Sequence, residues 1–85
     1  MSKELLAEQI AGWHAAGEHN KICEAVLALP EQEQTDELIC ILARALNNKD
    51  DFCSALEVLD SIRDRYSDNP FFCVRYGFAL YQLHR

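Results

Sequence analysis

This amino-acid sequence predicts an all-α fold of antiparallel helix-turn-helix units, and three observations predict it. Apolar residues recur at helical spacing in five segments and nowhere alternate for long enough to make a strand. Gly and Pro number only 3 and 2, too few for the tight turns of a strand-rich fold. One segment also repeats itself. A shift of 34 residues carries Ile39, Leu42, Ala43 and Leu46 onto Cys73, Tyr76, Gly77 and Leu80.

The first helix is expected over residues 5–16, with Leu6, Ile10 and Trp13 inward and Leu5 on the flank. Ser2 is its N-cap, and Gly17 its C-terminal stop. The second covers residues 20–29, capped by Asn20, with Ile22, Val26 and Leu29 as its apolar stripe. Pro30 ends it, because the residue before a proline is pushed out of the helical region. Residues 31–35 form a polar connector that can hold a helical turn of its own. The third helix, residues 36–47, has Thr35 as cap, Glu37 in the favourable first turn, and Ile39, Leu42, Ala43 and Leu46 inward. After a turn through Asn48 and Asp50, the fourth runs over residues 51–65 with Phe52, Ala55, Leu56, Leu59 and Ile62 inward. Its last turn carries Arg63 and Arg65, where positive charge suits the helix dipole. Ser67-Asp68-Asn69-Pro70 is the clearest break, with capping residues and then a proline at the first helical position. The fifth helix starts at Phe71. Short turns between such helices imply antiparallel neighbours.

A chain of 85 residues makes one domain with a modest core. Its net charge of −6, with 8 Lys and Arg scattered and in no run, excludes nucleic acid and anionic membrane surfaces as partners. No apolar run approaches the roughly 20 residues of a membrane span. The start, Met1 onward, lacks the apolar stretch of a signal peptide, so the reading is a true N-terminus and a cytoplasmic protein.

The 34-residue recurrence, followed by Asp51-Phe52-x-x-Ala55-x-x-x-Leu59, resembles the tetratricopeptide repeat. In that family's signature, small residues stand where helices of a pair cross, here Ala43, Ala55 and Gly77. The resemblance implies an α-solenoid of about two and a half repeats with a right-handed superhelical stack: a degenerate repeat over 3–35, a full one over 36–69 and a half over 70–85. The N-terminal unit departs from the pattern. Gln9-Ile10 replaces Leu-Gly, Ile22 replaces the small residue of the returning helix, and Pro30 arrives early. Terminal repeats are commonly atypical.

The resemblance also implies that the first helix of each unit lines a concave surface. That places Ala7, Ala11 and His14 there, then Glu37, Cys40, Ile41, Arg44, Asn47 and Asn48, then Phe71, Val74, Phe78 and Tyr81. The binding residues expected from this set are Arg44, Asn47, Phe71, Val74, Phe78 and Tyr81, and the ligand is a peptide or helix of a partner protein. Some chaperone-binding members grip acidic peptides with a clamp of Lys and Asn. The corresponding positions here are mostly Ala, Cys, Val and Phe, so that clamp is not expected. Helix five looks like the first helix of a pair whose partner is missing. A larger repeat array or another chain would then cover Cys73, Tyr76, Gly77, Leu80 and Leu83, and a homodimer through this face is the alternative reading.

Catalysis is not expected. There is no Gly-rich phosphate loop and no cluster of metal ligands, and His14 and His19 miss the i, i+4 spacing. The acidic set Glu31, Glu33, Asp36 and Glu37 reads as a solvated connector. Cys23 with His19 is the one nucleophile–base pair worth naming. No cofactor is implied. Cys23, Cys40, Cys53 and Cys73 contain no CxxC pair and read as reduced small apolar residues. Intact-mass measurement on protein purified without reductant should therefore show the full hydrogen content of four thiols and no metal adduct; loss of hydrogen mass already present in fresh lysate would contradict this.

Overall fold

The computed structural model describes residues 3–84, so the expected Ser2 cap lies outside the described residues. Among these residues the fold is all-helical, in the order α1 (Lys3–Ala15), α2 (His19–Leu27), a 3-10 turn (Glu31–Glu33), α3 (Asp36–Asn48), α4 (Phe52–Asp60), α5 (Arg63–Tyr66) and α6 (Pro70–Leu83). Each helix from α1 to α4 packs on the next, and α6 returns against both α4 and α3.

The ends of these helices follow from local chemistry. Gly17 sits at a φ of 75°, and the amides of Gly17 and Glu18 donate to the carbonyls of His14 and Trp13 at 3.2 and 2.8 Å. This is the Schellman arrangement, which glycine makes without strain. The same bonds close α3, where Asp50 and Asp51 donate to Asn47 and Leu46 at 3.0 and 2.8 Å. There the left-handed residue is Asp50, at a φ of 63°. Thr35 caps α3 by accepting from the Leu38 amide at 3.3 Å. Asn69 caps α6 by accepting from Phe71 and Phe72, with Pro70 opening the helix. At the start of α2 the cap position is Glu18, which makes no side-chain cap bond; the expected Asn20 cap lies inside the helix. The connector after Pro30 does hold a turn, and Gln34 Nε2 donates back to the Leu29 carbonyl at 2.9 Å, serving the frayed end of α2.

The expected fourth helix is two. Its ladder breaks at Ser61–Ile62, where the Ser61 hydroxyl donates to the Val58 carbonyl and the Ile62 amide donates to Leu59 at i−3. A hydroxyl bonding back to the preceding turn competes with the helical ladder. The apolar period runs through this point without a Gly or Pro, so nothing in the pattern marked the break. Ile62 is buried at the junction, and Arg65 on α5 grips Asp36 at the start of α3 with both carboxylate oxygens, at 2.8 and 3.4 Å.

The core is one cluster. Ile22 and Val26 from α2, Leu42 from α3 and Leu59 from α4 are its largest fully buried side chains, each stabilising by about 1.5–3 kcal/mol. Trp13 is half-buried and packs against this cluster. Helix α3 is buried around most of its circumference: Ile39, Leu42, Ala43 and Leu46 face inward as expected, and so do Cys40, Ala45 and Asn47. Helix α6 is the opposite case. It is apolar all round yet buries only Phe72 and Ala79. Gly77, expected at a close helix crossing, would meet nothing within 4 Å if it carried a Cβ, because no helix lies over it. Helices α1 to α6 are each too short to cross a membrane as an apolar span.

All four cysteines are free thiols: Cys23 and Cys40 are buried, Cys53 and Cys73 exposed. Burial pushes the Cys23 and Cys40 thiols up. Ala43 is fully buried on α3. Ala43→Leu should destabilise the fold by roughly 1–3 kcal/mol through overpacking; urea unfolding measures it, and an unchanged midpoint would mean that this face does not pack closely.

Candidate functional site

Helices α1 and α3 leave an elongated hollow of about 540 Å³ between them, closed at one end by the connector. Its floor is apolar, built from Leu6 and Ile10 on α1, Leu38 and Ile41 on α3, and Leu29. Ala7 and Ala11 form the α1 wall, and their small side chains keep the hollow open. Glu33, Thr35 and Glu37 lie toward the beginning of α3, while Arg44 and His14 lie toward the ends of their helices. Glu37 and Arg44 are seven residues apart, two helical turns, so about 10 Å of apolar floor separates the acidic from the basic end.

Arg44 and His14 also feel charge from residues outside the hollow. Arg44 is half-buried; burial and the nearby Arg75 on α6 both lower its affinity for its proton. Arginine remains charged regardless. His14 is pushed below the ordinary histidine range, chiefly by Arg44, then by desolvation, His19 and Arg75. His14 and His19, unsuited to sharing one helix face, are brought together across the α1–α2 turn with ring centroids 6.0 Å apart. Arg75 itself donates Nη1 to the Phe71 carbonyl at 3.0 Å and lies over the Phe71 ring at 5.4 Å. Burial also argues against the Cys23–His19 pair as a nucleophile and base, since a raised thiol holds little thiolate.

The expected binding residues divide. Arg44 lines the hollow together with Ala7, Ala11, His14, Glu37 and Ile41 from the wider concave set. Asn47 and Cys40 do not reach it, being buried between helices. Asn47 Nδ2 donates to the Arg75 carbonyl at 3.2 Å and ties α3 to α6, so its position one turn beyond Arg44 serves the helix crossing. Phe71, Val74, Phe78 and Tyr81 form an exposed stripe on α6 outside the hollow, with Val74 67% and Tyr81 66% accessible. Phe78 meets Phe52 edge-on at 5.9 Å and borders a shallow depression with Asp50 and Gln82.

The face expected to await a returning helix is only partly open. Tyr76 is half-buried: it stacks on Phe72 at 5.4 Å, and its hydroxyl donates to Asp60 at 3.0 Å. The Cys73 thiol donates to the Ser67 carbonyl. Leu80 and Leu83 are exposed. Helix α6 thus folds part of that face onto α4 and the loop before it.

Two residues whose charge reaches His14 or Arg44 were not expected, His19 and Arg75, and neither lines the hollow. His19 is placed by the Gly17 turn, which no spacing rule reports.

No protein-family model matches the sequence, and no curated protein and no solved structure matches the chain.

Because Arg44 is the first cause of the His14 shift, NMR titration should find His14 protonating below about pH 6.5 and moving upward in Arg44→Gln. A base with a depressed folded pKa contributes stability above the unfolded value, so that contribution should fade as pH drops through the folded value. An unmoved His14 titration in the variant would separate the two side chains.

Proposed function

We propose that this chain is a non-catalytic protein-interaction module that receives an apolar segment of a partner, extended or helical, in the hollow between α1 and α3. One observation carries the reading: a cavity of about 540 Å³ with an apolar floor and charged ends, open along one side of a small helical domain. Recognition sites are typically concave and largely apolar, with a few placed polar groups that fix orientation. In the same reading the units are tetratricopeptide-like. The 34-residue recurrence supports this, as do the full burial of Ala43 and Ala55 and the packing of α6 on α3 and α4. The first helices of successive units then form the binding side, α1 and α3 here.

Exposed apolar side chains on α6 favour a second reading, self-association. Leu80 and Leu83, beside Cys73 and Tyr76, would supply the contact. Sedimentation of the chain beside Leu80→Glu and Leu83→Glu tests it; these positions are preferred to Tyr76, whose hydroxyl already serves Asp60.

The main reading is tested by panning a randomised peptide library, displayed with free C termini, against the chain and against Ala11→Phe. Ala11 is an exposed wall residue, so the larger ring should fill the hollow without disturbing the core. The expected outcome is enrichment of apolar peptides by the parent chain and at least about tenfold weaker binding by the variant. Equal binding by both would move the site elsewhere on the molecule.

A further inference from the structure

Helix α6 carries an uncovered apolar stripe whose spacing is specific. Phe71, Val74, Phe78 and Tyr81 stand three, four and three residues apart, the alternation of a coiled-coil seam. A stripe of that period is matched by another helix, whose side chains seat between those of the first. Phe71, Val74 and Tyr81 are 64%, 67% and 66% accessible, against 37% and 41% for Leu80 and Leu83 on a different face of α6. Cys73 and Tyr76, on that other face, already have partners within the chain. The stripe is only partly served: Phe52 meets Phe78 edge-on, and the Arg75 guanidinium lies over the Phe71 ring. Gly77 flanks the stripe, and no atom lies within 4 Å of where its Cβ would stand, so a second backbone can approach there. Together the four side chains expose on the order of 450 Å² on one helix, within the range at which an apolar patch marks an interaction site.

We infer that a second copy of this chain covers the stripe, α6 pairing with α6 in a reversible homodimer. This deepens the self-association reading and rests on it, with the contact moved from Leu80 and Leu83 to another face of the helix. A seam of this period is complementary to itself, because knobs and holes alternate alike on both copies, and a two-fold pairing closes the surface. A foreign helix is ordinarily selected by charges that flank such a seam. Helix α6 carries no such code: Arg75 is its one charged residue, and its Nη1 is engaged by the Phe71 carbonyl. Area sets the strength. Two stripes bury roughly 900 Å² together, below the roughly 1,200 Å² at which stable interfaces begin, so the dimer is weak, with a Kd on the order of 10 µM or above. The net charge of −6 on each copy opposes the pairing, and salt that screens it therefore tightens the dimer.

Sedimentation equilibrium of the full chain in reductant, from about 10 µM to about 1 mM, tests this. The average mass should rise from one copy toward two across that range, and rise further in added salt. Val74→Glu and Tyr81→Glu, both at exposed positions, should weaken association at least about tenfold, while Leu83→Glu should leave it unchanged. Isotope-filtered NMR on mixed labelled and unlabelled parent chain reads the contact without any substitution. The Val74 methyls of one copy should show cross-peaks to Phe or Tyr rings of the other. A parent chain that stays one copy in mass at the top of the range would overturn this pairing together with self-association through Leu80 and Leu83. A dimer lost in Leu83→Glu and kept in Val74→Glu would overturn the stripe and leave self-association through the other face standing. Intermolecular cross-peaks from the Leu80 and Leu83 methyls in place of Val74 would do the same. A dimer that dissociates as salt rises would be held by charge and would also overturn the apolar seam. If a glutamate variant fails to fold by circular dichroism, the cross-peaks of the parent chain still decide.

Discussion

Everything in this domain leans on the burial of α3. Helices α2, α4 and α6 all pack on it, and they can do so because its contact positions combine small residues with large ones. Ala43 and Ala45 are fully buried on α3, and Ala55 and Ala79 are fully buried on α4 and α6. Alanine lets two helix backbones approach, and Leu42 and Leu59 fill the space beside the approach. A helix so enclosed has little surface left for solvent or ligand. What remains is the strip of Glu37, Leu38, Ile41 and Arg44 facing α1, and that strip is the α3 side of the hollow.

The same enclosure explains the electrostatics. Asn47, on the buried side of α3, donates to the carbonyl of Arg75 and fixes where α6 crosses. That crossing brings Arg75 near enough for its charge to add to the effect of burial in lowering the proton affinity of Arg44. The Arg44 charge in turn is the first cause of the lowered proton affinity of His14.

Helix α6 shows how a single sequence pattern can serve two environments. Its apolar residues surround the helix, which ordinarily signals burial on all sides. Here Phe72 and Ala79 meet the core, Tyr76 folds onto Phe72 and reaches Asp60, and the stripe from Phe71 to Tyr81 faces outward. Gly77, small in the repeat pattern, has open space over it.

Much of the fold was legible in the sequence because helices are specified locally. Apolar spacing, the Thr35 and Asn69 caps, Gly17 and Pro30 each act within a few residues, so the all-helical class and most element ends could be read from the chain. The Schellman turn at Asp50 was not legible, since aspartate seldom takes a left-handed conformation, and neither was the break at Ser61, where a side-chain hydroxyl competes with the ladder. Of the site, Ala7, Ala11, His14, Glu37, Ile41 and Arg44 were placed on one side of the molecule by what the repeat resemblance implies. It could not separate Arg44 from Asn47, one turn apart on the same helix, because only the crossing of α6 decides that one lines a groove and the other is buried. Nor could it bring Arg75 to Arg44 or His19 to His14, since those approaches are made by helix packing and a turn, and distance between helices is a property of the tertiary structure.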